Sequence, residues 1–161
     1  MSDYIFTQLN FVRNNTLQLA STMDERKSEI LLDGLSNHIK WNLGHIYFVQ
    51  EKFAFHFNGE EMLLPPGFGE LYAPGTRPEH GADGGFALVE ILGLLGGQMT
   101  RIETALSARL QEEVKQPYTT SKGLHLSKVN EFLSFCLYHE GMHFEKIKTI
   151  LRLIEREDSR N

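Results

Sequence analysis

His139 and His143 stand four residues apart in the stretch CLYHEGMH, 136–143. In an α-helix, at ~100° per residue, that spacing sets two side chains about 40° apart and one turn apart, so both imidazoles can reach one point. The same face carries Phe132, Cys136, Ile147, Ile150 and Ile154, so the pair continues an apolar stripe. Two imidazoles among apolar side chains need partners, because a buried polar group without one costs about 1–3 kcal/mol. A divalent ion would satisfy both at once. Carboxylates, carbonyls or solvent would serve as well, and an i,i+4 histidine pair alone does not choose between them.

HEGMH also fits the zinc-peptidase pattern H-E-x-x-H. That chemistry needs the Glu as general base and a third ligand beyond the second histidine. Eighteen residues follow His143 and none is a histidine; Glu145 is too close, and Glu155 and Glu157 lie further along the same helix. Glu140 is turned about 100° from His139, toward another face. A peptidase site is therefore not expected. A third ligand has to come from upstream. His56 is near the end of a helix, His80 in a loop and His125 just before the last helix. His45, in NHIKWNLGHIYFVQ, follows Trp41 by one turn and adjoins Phe48 and Val49, the most enclosed of these neighbourhoods. His38 is expected at the surface or an entrance.

Four segments with helical periodicity must position these residues. The first, about Asp3 to Met23, has the stripe Ile5, Leu9, Val12, Thr16, Leu19. The second runs from near Ser36, a candidate N-cap, to Asn58-Gly59, a stop signal, with Ile39, Leu43, Ile46, Val49, Phe53 and Phe57 inward. The third, about Gly85 to Glu113, carries Leu88, Leu92, Leu95, Met99, Ile102 and Leu106. The fourth starts near Ser127 and reaches about Glu157. Between the second and third lies Glu60 to Gly84, with Pro65, Pro66, Pro74 and Pro78 and several glycines, which is expected to be a loop. A connection this long in a four-helix protein points to a crossover, with the third helix parallel to the second. The fold class expected is all-α, a four-helix bundle with a long Gly/Pro-rich crossover loop, in one domain over 1–161.

W-N-L-G-H on the second helix, followed by Y-H-E-G-M-H on the fourth, resembles the DinB-like superfamily. The histidines stand as H-x(93)-H-x(3)-H, and GTRP within the long loop (75–78) is similar to a stretch that one subgroup carries. The resemblance spans nearly the whole chain. It implies an up-down-down-up bundle and one divalent metal ion, Zn or Ni, held by His45, His139 and His143. It also implies helix-mediated homodimers and, among relatives, thiol-dependent S-transferases acting on small molecules with a low-molecular-weight thiol. One departure stands out: the G-Q common after the last histidine is replaced by Glu145-Lys146.

Three neutral imidazoles would leave coordination positions open for water or a thiol. The expected function is thus a metal-dependent thiol S-transferase or hydrolase-like enzyme; the alternative is a non-catalytic metal-binding or stress-related helical dimer. Cys136, on the same stripe, is read as a small hydrophobe rather than a ligand or nucleophile. Trp41 is read as a pocket wall, Gly44 as room for close approach, and Met142 and Phe144 as packing residues. Tyr138 and Glu140 are left between the surroundings of the site and a dimer face. The loop with Tyr72, Arg77 and His80 is expected over the open end of the bundle; Arg77 is read as a solvated residue before an anion contact.

The bulk of the chain limits the partners. Net charge is −5 and the sequence pI about 5.8, which argues against nucleic acid and anionic membrane surfaces. No apolar run approaches the ~20 residues needed to span a bilayer. The start, MSDYIFTQLNFVRNN, does not read as a signal peptide. A single cysteine excludes an internal disulfide, so a cytoplasmic location is expected.

Overall fold

The computed structural model describes residues 3–78 and 85–159; His80 lies outside them. In chain order the elements are α1 (Tyr4–Ala20), α2 (Glu25–Ser28), α3 (Ile39–Ala54), a 3-10 turn (His56–Asn58), α4 (Phe68–Tyr72), α5 (Leu88–Leu106), β1 (Glu113–Thr119), β2 (His125–Lys128) and α6 (Val129–Asp158). The described chain is mostly helical, and α1 and α3 each pack against both α5 and α6. The expected stripes of α3 and α6 are buried at every position named, and α3 is buried on nearly all sides.

In α1 the buried face is Phe6, Leu9, Arg13, Thr16 and Ala20, so Ile5, Val12 and Leu19 sit only half-buried at its edges. The cause is Arg13, which hydropathy alone would send outward. It is 2% exposed, and each of its guanidinium nitrogens is bonded. Nε donates to Glu140 Oε1 at 2.8 Å, Nη1 to the Leu95 carbonyl at 2.7 Å, and Nη2 to Gln50 Oε1 at 2.6 Å, Glu140 Oε2 at 3.0 Å and Gln98 Oε1 at 3.1 Å. A buried charge is tolerated when it is paired and its donors are satisfied. The arginine thereby joins α1, α3, α5 and α6.

The chain is not wholly helical. The third helix ends at Leu106, short of the expected Glu113, and the following segment forms an antiparallel hairpin, β1 with β2. Val114 and Leu126 are buried on its inner side, and the Tyr118 ring meets Phe53 and Phe57 at 5.5 and 5.2 Å. Gly123, at φ 87°, makes the reversal, where an L side chain would be strained. Helix starts also differ from expectation. His38, not Ser36, caps α3, with Nδ1 accepting from the Trp41 N–H at 3.0 Å. Burial, with the neighbouring Lys40 charge, pushes the pKa of His38 down to about 4, which keeps that nitrogen an acceptor. It is half-buried and structural rather than an entrance residue. Lys128, not Ser127, precedes α6, and the Glu131 carboxylate accepts both of their N–H groups.

The long connection is not all loop. α4 lies within it and packs on α3, with Phe68 and Tyr72 buried. The Tyr47 hydroxyl donates to the Leu63 carbonyl at 2.7 Å, and Phe68 meets the Tyr47 ring edge-on at 5.5 Å. On the opposite flank Lys40 pairs with Glu25 (2.6 Å) and Glu29, and Glu25 also accepts the Leu88 N–H, tying α2 to the start of α5.

Candidate metal centre

The packing of α3 on α6 brings His45, 94 residues before His139 in the chain, against the His139–His143 pair. Ring centroids lie 5.2 Å apart for His45–His139, 4.9 Å for His45–His143 and 4.5 Å for His139–His143. One ring nitrogen of each lies within 4.8 Å of the others. Among the described residues this is the sole cluster of three or more His, Cys, Asp or Glu side chains able to hold a metal ion. The three are 7%, 9% and 9% exposed.

Two of the imidazoles are oriented by hydrogen bonds. His45 Nδ1 lies 2.8 Å from the Tyr72 carbonyl oxygen. A carbonyl only accepts, so Nδ1 carries the proton and Nε2 presents its lone pair. His143 Nδ1 lies 2.8 Å from Asn42 Oδ1. The Asn42 amide is oriented in turn, because its Nδ2 donates to the His38 carbonyl at 2.8 Å. His143 therefore also holds its proton on Nδ1. Partners of this kind are what fix tautomer and ring orientation in histidine metal ligands.

Burial, then the neighbouring His143 and His45, pushes the pKa of His139 down to about 3. Burial, His45 and the Lys146 charge do the same for His143, also to about 3. His45 is lowered by burial and by Lys146, against the opposing pull of the Tyr72 carbonyl. All three rings are thus neutral at physiological pH, the form that binds metal. The donor set fits a divalent ion, and imidazole suits Zn, Ni, Cu and Fe alike.

The letters of W-N-L-G-H each have a place here. Trp41 stacks on His45 with centroids 4.6 Å apart and planes 14° apart, the pocket wall expected of it. Its Nε1–H donates to Thr76 Oγ1 at 3.0 Å. Leu43 is fully buried. Gly44 faces the Tyr72 ring, and a Cβ there would stand 2.6 Å from Tyr72 Cγ, so α4 can seat on α3 only because this side chain is missing.

The remaining candidates are sorted as follows. Glu140, left open by the sequence, is 1% exposed and has both oxygens engaged by Arg13 inside the bundle. It cannot also serve as a peptidase base. Cys136 is buried outside the ligand cluster, with burial and Glu140 pushing its thiol pKa up, as suits a small hydrophobe. Met142 is 49% exposed rather than packed, and Tyr138 is 64% exposed. Arg77 is exposed, as favoured. His56 and His125 are exposed and are not members of the ligand cluster. Sequence reasoning missed Asn42, Thr76 and the Tyr72 carbonyl as orienting groups, although the first two lie inside motifs it singled out.

The sequence model of the DinB superfamily matches residues 8–147. The chain belongs to the DinB superfamily. No curated protein matches it. Among solved structures, the crystal structure of a conserved protein from Enterococcus faecalis is similar to this DinB chain at 12% identity, with a TM-score of 0.64, covering 95% of this chain and 97% of that one. At that identity the likeness concerns the fold. No helix among the described residues is long and apolar enough to cross a membrane.

Proposed function

We propose that His45, His139 and His143 bind one divalent metal ion, Zn or Ni, and that this DinB protein is a metal-dependent enzyme acting on a small molecule with a low-molecular-weight thiol. Thiol S-transfer is the first reaction class, and a hydrolase-like use of water the second. The observation that carries the proposal is the pair of Nδ1–H hydrogen bonds, from His45 to Tyr72 and from His143 to Asn42, which leave two Nε2 lone pairs aimed away from their tethers. Purely packing histidines have no need of a common tautomer.

When bound, an ion on neutral imidazoles acts as a Lewis acid toward a water or thiol at an open position. The chain's own residues do the rest. Tyr72 and Asn42 hold two ring protons in place, Trp41 walls the site, and the surrounding core limits water. Lys146 is half-buried, follows His143 by three residues on α6, and is near enough for its charge to act on both His143 and His45. A cation beside the site favours an anionic ligand, and thiolate is the nucleophile in thiol transfer. This supports a thiol ahead of neutral water.

The same proposal takes 1–161 as one cytoplasmic domain, its four long helices as an up-down-down-up bundle, and the active form as a homodimer. The packing of α1 and α3 on both α5 and α6 supports a bundle of these four helices.

Metal analysis of protein purified without a polyhistidine tag is the first test, with about one equivalent expected; none would defeat the proposal. A panel of low-molecular-weight thiols with an electrophile such as monochlorobimane then tests transfer. Turnover lost in a folded His143→Ala variant supports the enzyme, and unchanged turnover removes the site from the mechanism. Bound metal with no turnover across the panel favours the non-catalytic metal-binding alternative.

A further inference from the structure

His45 differs from the other two imidazoles in what holds it. His139 and His143 sit one turn apart on a single helix, so their mutual geometry is set by α6 itself. His45 approaches from α3, and its ring is fixed by the end of α4 and by Trp41 on its own helix. The Tyr72 carbonyl, in the last residue of α4, accepts its Nδ1–H. The indole of Trp41 lies flat against its face. That indole is itself tethered, because Trp41 Nε1–H donates to Thr76 Oγ1. The hydroxyl of Thr76 has one hydrogen to give, and it lies 2.8 Å from the Leu71 carbonyl and 2.9 Å from the Ala73 carbonyl. Thr76 is therefore both the acceptor that orients the indole and the donor that closes the turn carrying the Tyr72 carbonyl.

We propose that Trp41 and Thr76 are positioning residues for His45, joined by one hydrogen bond that sets the imidazole's plane and the position of its Nδ1 acceptor together. The inference rests on the metal site proposed above. Neither residue touches the ion; both act through His45. The ends of the tether lie 35 positions apart, on α3 and in the Gly-Thr-Arg-Pro stretch. The stretch from α4 to Thr76 is thereby part of the metal site, though it supplies no ligand side chain.

Thr76 is half-buried, so Val is accommodated and water can take the indole N–H, while the tether is lost. The test titrates tag-free apo protein with Co(II), read by its visible absorption, whose intensity and position report coordination geometry. Thr76→Val and Trp41→Phe should each weaken Co(II) binding by roughly tenfold and alter the spectrum, the scale seen when groups orienting a metal ligand are removed. The double variant should be no weaker than the worse single one, since both remove one bond. Thr76→Ser, which keeps the hydroxyl, should restore parental affinity and spectrum. Folded Thr76→Val and Trp41→Phe proteins with parental affinity and spectrum would overturn the proposal, as would fully additive losses. If Thr76→Val does not fold, Trp41→Phe decides alone. Parent protein that binds Co(II) with His45→Ala equally tight would overturn the positioning role while leaving a metal site; parent protein that takes no Co(II) would overturn both.

Discussion

Replacing Asn42 with Leu probes the orienting bonds at the ligand they serve most simply. Asn42 is fully buried and makes two hydrogen bonds, accepting from His143 Nδ1 at 2.8 Å and donating to the His38 carbonyl at 2.8 Å. Leucine has nearly the same volume and neither function. In the variant the His143 Nδ1–H loses its acceptor at a site only 9% exposed. Leaving a buried donor unpaired costs about 1–3 kcal/mol. The ring can escape part of that cost by moving its proton to Nε2, but the proton then occupies the lone pair needed by an ion. Either way metal binding weakens, and the loss expected for removing such a partner is about 10- to 100-fold, or roughly 1.4–2.7 kcal/mol. Competition for Zn(II) against a chromophoric chelator at neutral pH measures it. Thermal unfolding provides a second readout, because stabilisation by saturating metal falls by about 1.4 kcal/mol for each tenfold loss of affinity. A folded Asn42→Leu protein with Zn(II) affinity within twofold of the parent would refute the reasoning.

Other consequences can be checked separately. Gly44→Ala places a methyl group against the Tyr72 ring, so α4 must shift; the ~1 kcal/mol gained in helix propensity should be outweighed by about 1–3 kcal/mol of overpacking, and Zn(II) affinity should fall with the displaced Tyr72 carbonyl. Arg13→Met strands Glu140 inside the bundle and should cost about 3–5 kcal/mol in urea unfolding, with much of that recovered when Glu140→Leu is added. Apo protein should lose stability as pH falls. The folded-state pKa values of His139 and His143 lie near 3, below an unfolded value of ~6.5, so the unfolded chain takes up protons that the native one does not. The loss begins near pH 6.5, grows by at most about 1.4 kcal/mol per pH unit for each imidazole, and is absent above about pH 7.5. Urea titrations at pH 7.5, 6.5 and 5.5 test the sign, and greater apo stability at pH 5.5 would contradict it. Lys146→Gln removes a cation from beside His45 and His143 and should tighten Zn(II) binding, measured by the same chelator competition.

The face of α6 was readable from sequence because the stripe from Phe132 to Ile154 is apolar or histidine throughout, so the 3.6-residue period locates it; Glu140, buried beside that stripe against Arg13, was not readable. The same holds for α3, whose stripe from Ile39 to Phe53 is unbroken. In α1 the period was visible and Leu9 and Thr16 are buried as expected, but Phe6, Arg13 and Ala20 take the places expected of Ile5, Val12 and Leu19. An arginine takes the central buried position there, and its four partners lie on helices 37 to 127 residues away. The hairpin escaped notice because only Val114 and Leu126 face inward, with Tyr118 at the edge, too few to give a two-residue alternation. The three histidines could be singled out by type, spacing and motif. The groups that orient them could not. Asn42 acts across 101 positions and Tyr72 acts through its backbone, so no side-chain pattern announces either role. Gly44 is intermediate: its smallness was readable, while the tyrosine ring that requires it was not.

The central claim is that the imidazoles of His45, His139 and His143 share one ion. Anomalous diffraction from crystals of the zinc-loaded protein tests it most directly. A single anomalous peak is expected about 2.0–2.1 Å from Nε2 of His45 and His143 and from one ring nitrogen of His139. A peak bound by His139 and His143 with His45 turned away, or zinc held elsewhere on the chain, would contradict it.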